Sequence, residues 1–181
     1  MGSLQHDLKQ QRPFASPEEE AYLNLARTTD LLNREVAAVL KPHQLSAAQY
    51  NVLRILRGAG EAGHACSEIA SRLVTRDPDV TRLLDKLEAR ELLARSREHA
   101  DRRVVTARIT AQGLALLDTL DRPMREAVER MLAHMPAAQL RTLTALLELA
   151  RQAAPADAAR ATAPAATGAE RSRRPRARAK T

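Results

Sequence analysis

The stretch from Thr75 to Arg108 constrains this chain more than any other. Its first part reads Asp77-Pro78-Asp79-Val80-Thr81-Arg82-Leu83-Leu84-Asp85-Lys86-Leu87-Glu88-Ala89-Arg90. Val80, Leu83, Leu84 and Leu87 recur at helical spacing, an apolar stripe that has to face a core. Asp77 can cap such a helix, and Pro78 suits its first position, where a missing N–H is harmless. The opposite face carries Thr81, Arg82, Asp85 and Lys86. Two short extended runs follow, Leu92–Arg97 and Val104–Ile109, joined by the charged loop Glu98-His99-Ala100-Asp101-Arg102-Arg103. A helix with one cationic, hydrogen-bonding face can enter a DNA major groove, and a basic hairpin beside it can reach the neighbouring minor groove.

Capping signals place the other helices. Ser16-Pro17-Glu18-Glu19 starts one that runs to about Leu40, before Pro42. Ser46-Ala47-Ala48-Gln49 is a capping box opening a second, with Val52, Leu53, Ile55, Leu56 and Ala59 inward. Gly58-Ala59-Gly60-Glu61-Ala62-Gly63 has the letters of a dinucleotide fingerprint, but a helical pattern precedes it where a strand is required, so it reads as an inter-helix turn. Ser67–Val74 forms a short helix that pairs with the Asp77 helix as a helix-turn-helix. Thr110 caps a long helix reaching about Met135, with Pro123 expected to kink it, and Pro136–Ala153 forms the last. The fold class is therefore mainly α with a small β-wing.

The order Asp-Pro-Asp-Val-Thr-Arg-Leu-Leu-Asp-Lys-Leu-Glu, then Asp101-Arg102-Arg103, then Thr110-Ala111-Gln112-Gly113 resembles the winged helix-turn-helix of MarR-type bacterial transcription regulators. The resemblance spans roughly Pro17 to Arg151. It implies a winged helix-turn-helix DNA-binding domain over 46–109, flanked by a helical dimerisation region at 16–45 and 110–153. Residues 1–15 are expected to be a disordered N-terminal segment, and 154–181 a disordered basic tail. The family usually has Gly just after the recognition helix, where a left-handed residue ends it. Here the position is Glu91, so either the helix ends differently or Glu91 bears a strain of roughly 1 kcal/mol.

The resemblance implies that Arg103 enters the minor groove with Asp101 orienting its guanidinium, in a wing that also carries Arg102. Such a groove attracts arginine most where it is narrow and A·T-rich. Thr81 and Arg82 are candidates for contacts to bases or phosphates, against the plainer alternative of a solvated helix face. Arg76 and Lys86 suit phosphates, which position but do not specify. Arg95, Arg97 and His99 could add backbone contacts. Asp79 and Asp85 would repel a phosphate, so they must meet a cytosine amino group, pair with Arg82 or Lys86, or point aside. Three long flanking helices carry more leucine than a winged domain can cover, which a C2 homodimer solves; Leu117 and Leu143 are the expected partner-facing residues. His43 lies at the junction where the resembled family forms its ligand cleft, but it reads first as an ordinary turn residue, with a ligand contact as the alternative.

The formal charge of +7 is unevenly placed: seven cations against two acids beyond Ala154 give the tail +5 and leave +2 for the rest. Local placement therefore carries the electrostatic argument. The tail's arginines have no aromatics among them, so any contact with DNA would be electrostatic. The single Cys66 excludes an intramolecular disulfide and fits a reducing cytoplasm. It lies near a helix N-terminus, where a thiol pKa can fall, but it reads first as a half-buried packing thiol, with redox sensing as the alternative. His64 and Cys66 are too few for a metal site, and no transmembrane run, signal peptide, catalytic triad or P-loop is present. No cofactor or metal is expected. The resulting expectation is a cytoplasmic, nucleoid-associated regulator that binds double-stranded DNA as a homodimer and answers to a small-molecule effector. A winged-helix protein-interaction module and a small-molecule-binding enzyme are the alternatives.

Overall fold

The computed structural model describes residues 3–75, 79–97 and 104–152, and the helices that follow Ser16, Ser46 and Thr110 start where those capping residues stand. A short helix, α1 (Ser3–Asp7), precedes α2 (Pro17–Leu40). The Ser16 hydroxyl accepts the Glu19 N–H at 3.2 Å, while the Glu19 carboxylate accepts the Ala15 N–H at 2.6 Å. A 3₁₀ turn, Lys41–His43, closes α2. Then α3 (Ala47–Ala59) opens on a complete capping box: Ser46 accepts the Gln49 N–H at 3.1 Å and donates its own N–H to the Gln49 side chain at 2.9 Å. Past a second 3₁₀ turn at Gly60–Ala62 come β1 (His64–Ala65), α4 (Cys66–Arg72) and α5 (Val80–Glu88). The wing strands β2 (Leu93–Arg97) and β3 (Val105–Ile109) lead into α6 (Ala111–Leu132), and α7 (Ala137–Gln152) follows.

The three strands form one antiparallel sheet in the order β1-β3-β2, with Leu93 opposite Ile109, Arg97 opposite Val105 and His64 opposite Ala107. Its inner face and helices α2 to α6 share one core. Leu40, Val52, Leu53, Leu56, Ile69, Leu84, Leu87, Leu93, Leu117 and Leu120 are fully buried there. Removing so many leucine and isoleucine side chains from water is the main stabilising term, about 1.5–3 kcal/mol for each before chain entropy is counted. Arg57 of α3 adds a polar clasp to α6, reaching both Asp121 oxygens at 2.8 and 2.9 Å. The chain divides into a unit from Met1 to His134 and a second that begins at Met135 and includes α7.

Several sequence expectations need correction. Residues 3–7 are helical and Leu4 is buried, so the segment 1–15 is not wholly without structure. The helix after the turn begins at Val80, with Asp79 as its cap, rather than at Pro78 with Asp77. Both candidates are aspartates with a suitable following turn, and spacing alone does not choose between them. The strand β1 was missed, because two residues show no alternation. Pro123 lies inside α6, as its position in the long helix implied. Leu117 lies fully buried in the core of its own chain and does not face a partner; it falls on α6 at the same helical phase as Leu120 and Met124, the stripe that covers the winged domain. Among the described residues no helix is long and apolar enough to cross a membrane. The expected tail, 154–181, lies outside the described residues.

Candidate nucleic-acid interface

Helix α5 has nine residues, too few to be stable in isolation, and its surroundings hold it in place. Leu84 and Leu87 are fully buried, and Val80 and Leu83 are half-buried. At its start the Asp79 carboxylate accepts the Arg82 N–H at 3.0 Å. Thr81, Arg82 and Lys86 are exposed on the outer face. The side chains of Arg82 and Lys86 make no hydrogen bond or ion pair among the described residues.

The acids of the same helix are otherwise engaged. Arg95 of β2 donates to Asp85 at 2.6 Å and to Glu88 from its Nε at 2.9 Å, and its backbone N–H reaches the other Glu88 oxygen at 3.1 Å. The Arg95 hydrogen bonds hold the Glu88 carboxyl below the usual glutamate range, and the same bonds raise the arginine. Arg95 was expected to contact the DNA backbone; its guanidinium instead braces the wing against α5, because two carboxylates one helical turn apart meet it from below. Asp85 thus pairs with Arg95, and neither with Arg82 nor with Lys86.

The exit of α5 settles the question raised by Glu91. Its φ is +56°, so a non-glycine residue takes the left-handed conformation. The Leu92 N–H reaches the Leu87 carbonyl at 3.0 Å and the Glu91 N–H that of Glu88 at 2.8 Å, the paired closure of a Schellman motif. Leu92 and Leu87 are both buried, supplying its apolar contact. The Thr110 hydroxyl donates to the Glu91 carbonyl at 2.6 Å and accepts the Gly113 N–H at 3.1 Å, so one side chain caps α6 and fastens the exit of α5. A Cβ at position 113 would run into the Leu92 carbonyl oxygen, which explains the glycine in Thr110-Ala111-Gln112-Gly113.

Of the remaining candidates, Arg97 is exposed at the outer end of β2. Arg76, His99, Asp101, Arg102 and Arg103 lie outside the described residues. His43 is half-buried in the turn after α2, and its carbonyl accepts from Arg90. Leu143 of α7 is half-buried, and α7 has no buried residue. Cys66 is the first residue of α4, yet burial pushes its thiol pKa up and outweighs the nearby Arg95, which suits a half-buried packing thiol. The His64 ring meets Glu68 at 3.2 Å, and the described residues contain no cluster suited to a metal ion. Sequence reasoning missed Arg90 and Glu88 as parts of this region. The signal for Glu88 was present: with Asp85 it forms an acid pair on the edge of α5 nearest the following strand.

A family model described as the MarR family matches residues 45–105. The chain is 31% identical over 124 residues to the HTH-type transcriptional repressor Rv2887 of Mycobacterium tuberculosis, covering 68% of this chain and 88% of that protein. It is 25% identical over 127 residues to the HTH-type transcriptional regulator MhqR of Bacillus subtilis, covering 70% and 86%. Among solved structures, a MarR transcription factor from Planctomyces limnophilus shares 42% identity at a TM-score of 0.58, over 76% of this chain and 99% of that one. BpsR of Bordetella bronchiseptica, whose DNA binding is regulated by 6-hydroxynicotinic acid, shares the fold at a TM-score of 0.68 with 24% identity, over 78% and 99%.

Proposed function

We propose, from the premise that this chain belongs to the MarR family of DNA-binding transcription regulators, that it is an effector-responsive repressor binding an inverted-repeat operator as a homodimer. The observation that carries the reading is the division of charge on α5. Asp79, Asp85 and Glu88 are occupied within the chain, whereas Arg82 and Lys86 are exposed and their side chains have no partner among the described residues. The face offered to solvent is therefore more cationic than the composition of the helix suggests, and it matches a phosphate-lined groove. Thr81 and Arg82 are the proposed base-edge contacts, Lys86 and Arg97 the phosphate contacts. Arg76, Arg102, Arg103 and Asp101 keep the roles that their motif implies. Exposed apolar side chains on α2, including Tyr22, Leu25 and Leu31, support a second copy as the partner that covers them. Leu143 stays a proposed interface residue. A small-molecule effector, the class that acts on BpsR, would have to bind one arrangement of the two recognition helices better than the other.

The test is selection from random DNA, followed by titration of the selected operator at several salt concentrations. A palindromic site is expected. Arg82→Ala should cost about 1–3 kcal/mol and relax preference at one position of each half-site. Arg103→Ala should weaken binding across many sequences and lower the salt slope. Parent-like affinity and preference for Arg82→Ala would remove α5 from recognition.

A further inference from the structure

Two left-handed helix exits, 47 residues apart in sequence, are joined by one side chain. The first closes α2 and its 3₁₀ turn: Gln44 has φ +52°, the Leu45 N–H reaches the Leu40 carbonyl at 3.3 Å, and the Gln44 N–H that of Lys41 at 3.0 Å. The second is the Glu91 exit of α5. Arg90, one residue before it, donates from one guanidinium nitrogen to the Gln44 carbonyl at 2.9 Å and from the other to the His43 carbonyl at 3.0 Å. These carbonyls lie at a helix C-terminus, where the backbone is partly negative and favours a cation. Arg90's own carbonyl accepts from the Gln112 side chain at 3.2 Å, so the end of α2, the end of α5 and the beginning of α6 meet at this residue. A planar fork satisfies two adjacent carbonyls at a fixed angle, which the single ammonium of lysine does not.

We propose that Arg90 is a positioning residue for DNA recognition: it locks the direction of α5 to the end of α2 and thereby sets the separation of the two recognition helices in the dimer. The inference rests on the dimeric, inverted-repeat reading given above. The leucines of α5 fix how deeply the helix sits, but an apolar stripe resists sliding poorly, whereas a bidentate bond resists both sliding and rotation. Since α2 is the helix proposed to meet the second copy, any swing of α5 relative to α2 changes the half-site spacing that fits. Arg90 touches no DNA in this scheme. Its loss should therefore alter tolerance to spacing more than affinity for any sequence of bases.

The experiment compares operators at the selected spacing with operators whose half-sites are one or two base pairs closer or farther apart. Parent, Arg90→Ala, Arg90→Lys and Arg57→Ala are titrated against each, together with nonspecific DNA, and their unfolding midpoints are measured. Arg57→Ala cuts the bidentate pair between α3 and α6 and serves as a control for lost stability. The expected result is that Arg90→Ala loses roughly five- to tenfold of the parent's discrimination between spacings, as the removal of two charge-assisted bonds implies. Arg90→Lys should fall between the two, nonspecific binding should be unchanged, and Arg57→Ala should be less stable yet discriminate like the parent. If Arg90→Ala does not fold, Arg90→Lys decides. Parent-like discrimination in the folded Arg90 variant overturns the proposal, and so does an equal loss in Arg57→Ala. A parent indifferent to spacing would instead overturn the dimeric operator reading, and this inference with it.

Discussion

Helices α5 and α2 solve opposite problems. α5 is short, yet its own chain secures it everywhere but on its outer face: leucines below, a side-chain cap at its start, an arginine brace from the wing and a stapled exit. α2 has 24 residues, and only Leu40, at its very end, is buried. Tyr22, Leu25 and Leu31 are 69%, 42% and 52% exposed, so the first part of the helix carries apolar surface left uncovered within one chain, while Val36, Val39 and Leu40 near its end pack on the core. The difference shows where each helix does its work. A recognition element has to be preorganised before it meets DNA, and polar bonds of fixed geometry do that. In the proposed dimer α2 would instead need area and shape, which its exposed apolar side chains offer.

The sharpest break of this comparison uses one substitution at two places. Leu117→Arg puts an unpaired charge in the core and should cost roughly 3–5 kcal/mol, abolishing the folded state at any protein concentration. Leu25→Arg, on the uncovered part of α2, should leave the unfolding of the winged domain nearly intact while shifting sedimentation towards monomer. Equal loss of folding in both would show that α2 is held by its own chain after all.

A smaller effect concerns the brace. Glu88→Gln keeps the shape of the side chain and removes its charge, and should lower stability by about 1 kcal/mol or less, since the pair is partly solvated. The folded-state pKa of Glu88 is depressed, so its contribution is present above the ordinary glutamate range and is lost as pH falls through the lower folded value. Denaturant unfolding followed from neutral pH into acid should show the parent and the variant converging. A gap that widened in acid would contradict the assignment of the shift to Arg95.

The smallest effect tests the exit. Glu91→Gly replaces a strained left-handed residue by one that adopts the conformation freely, and should raise stability by about 1 kcal/mol or less. A lower melting temperature would mean that the Glu91 side chain contributes something the geometry does not reveal.

Much of this architecture is legible in the sequence because it is local. Ser16, Ser46 and Thr110 announce helices by side chain-to-backbone bonds three residues apart, and the structure begins α2, α3 and α6 beside them. The departure at Glu91 was also visible, since the family pattern requires a left-handed residue there. What escaped is non-local. The clasp of Arg90 on His43 and Gln44 joins positions with no periodic relation, and Arg95 resembled a free cation until Asp85 and Glu88 were found beneath it. Leu117 shows the converse error: apolar spacing says that a side chain is covered, not whether the cover comes from its own chain or another.

The cap at Asp79 has a consequence for how this molecule meets DNA. The amino end of a helix ordinarily welcomes an anion, and many proteins seat a phosphate there. In α5 the Asp79 carboxylate already sits at that end, on the Arg82 N–H. Under the proposed role that N–H is no longer open to a phosphate, and DNA is left the flank of the helix, where Arg82 and Lys86 are exposed. The residue that starts the helix thereby leaves its outer face as the side a groove can meet.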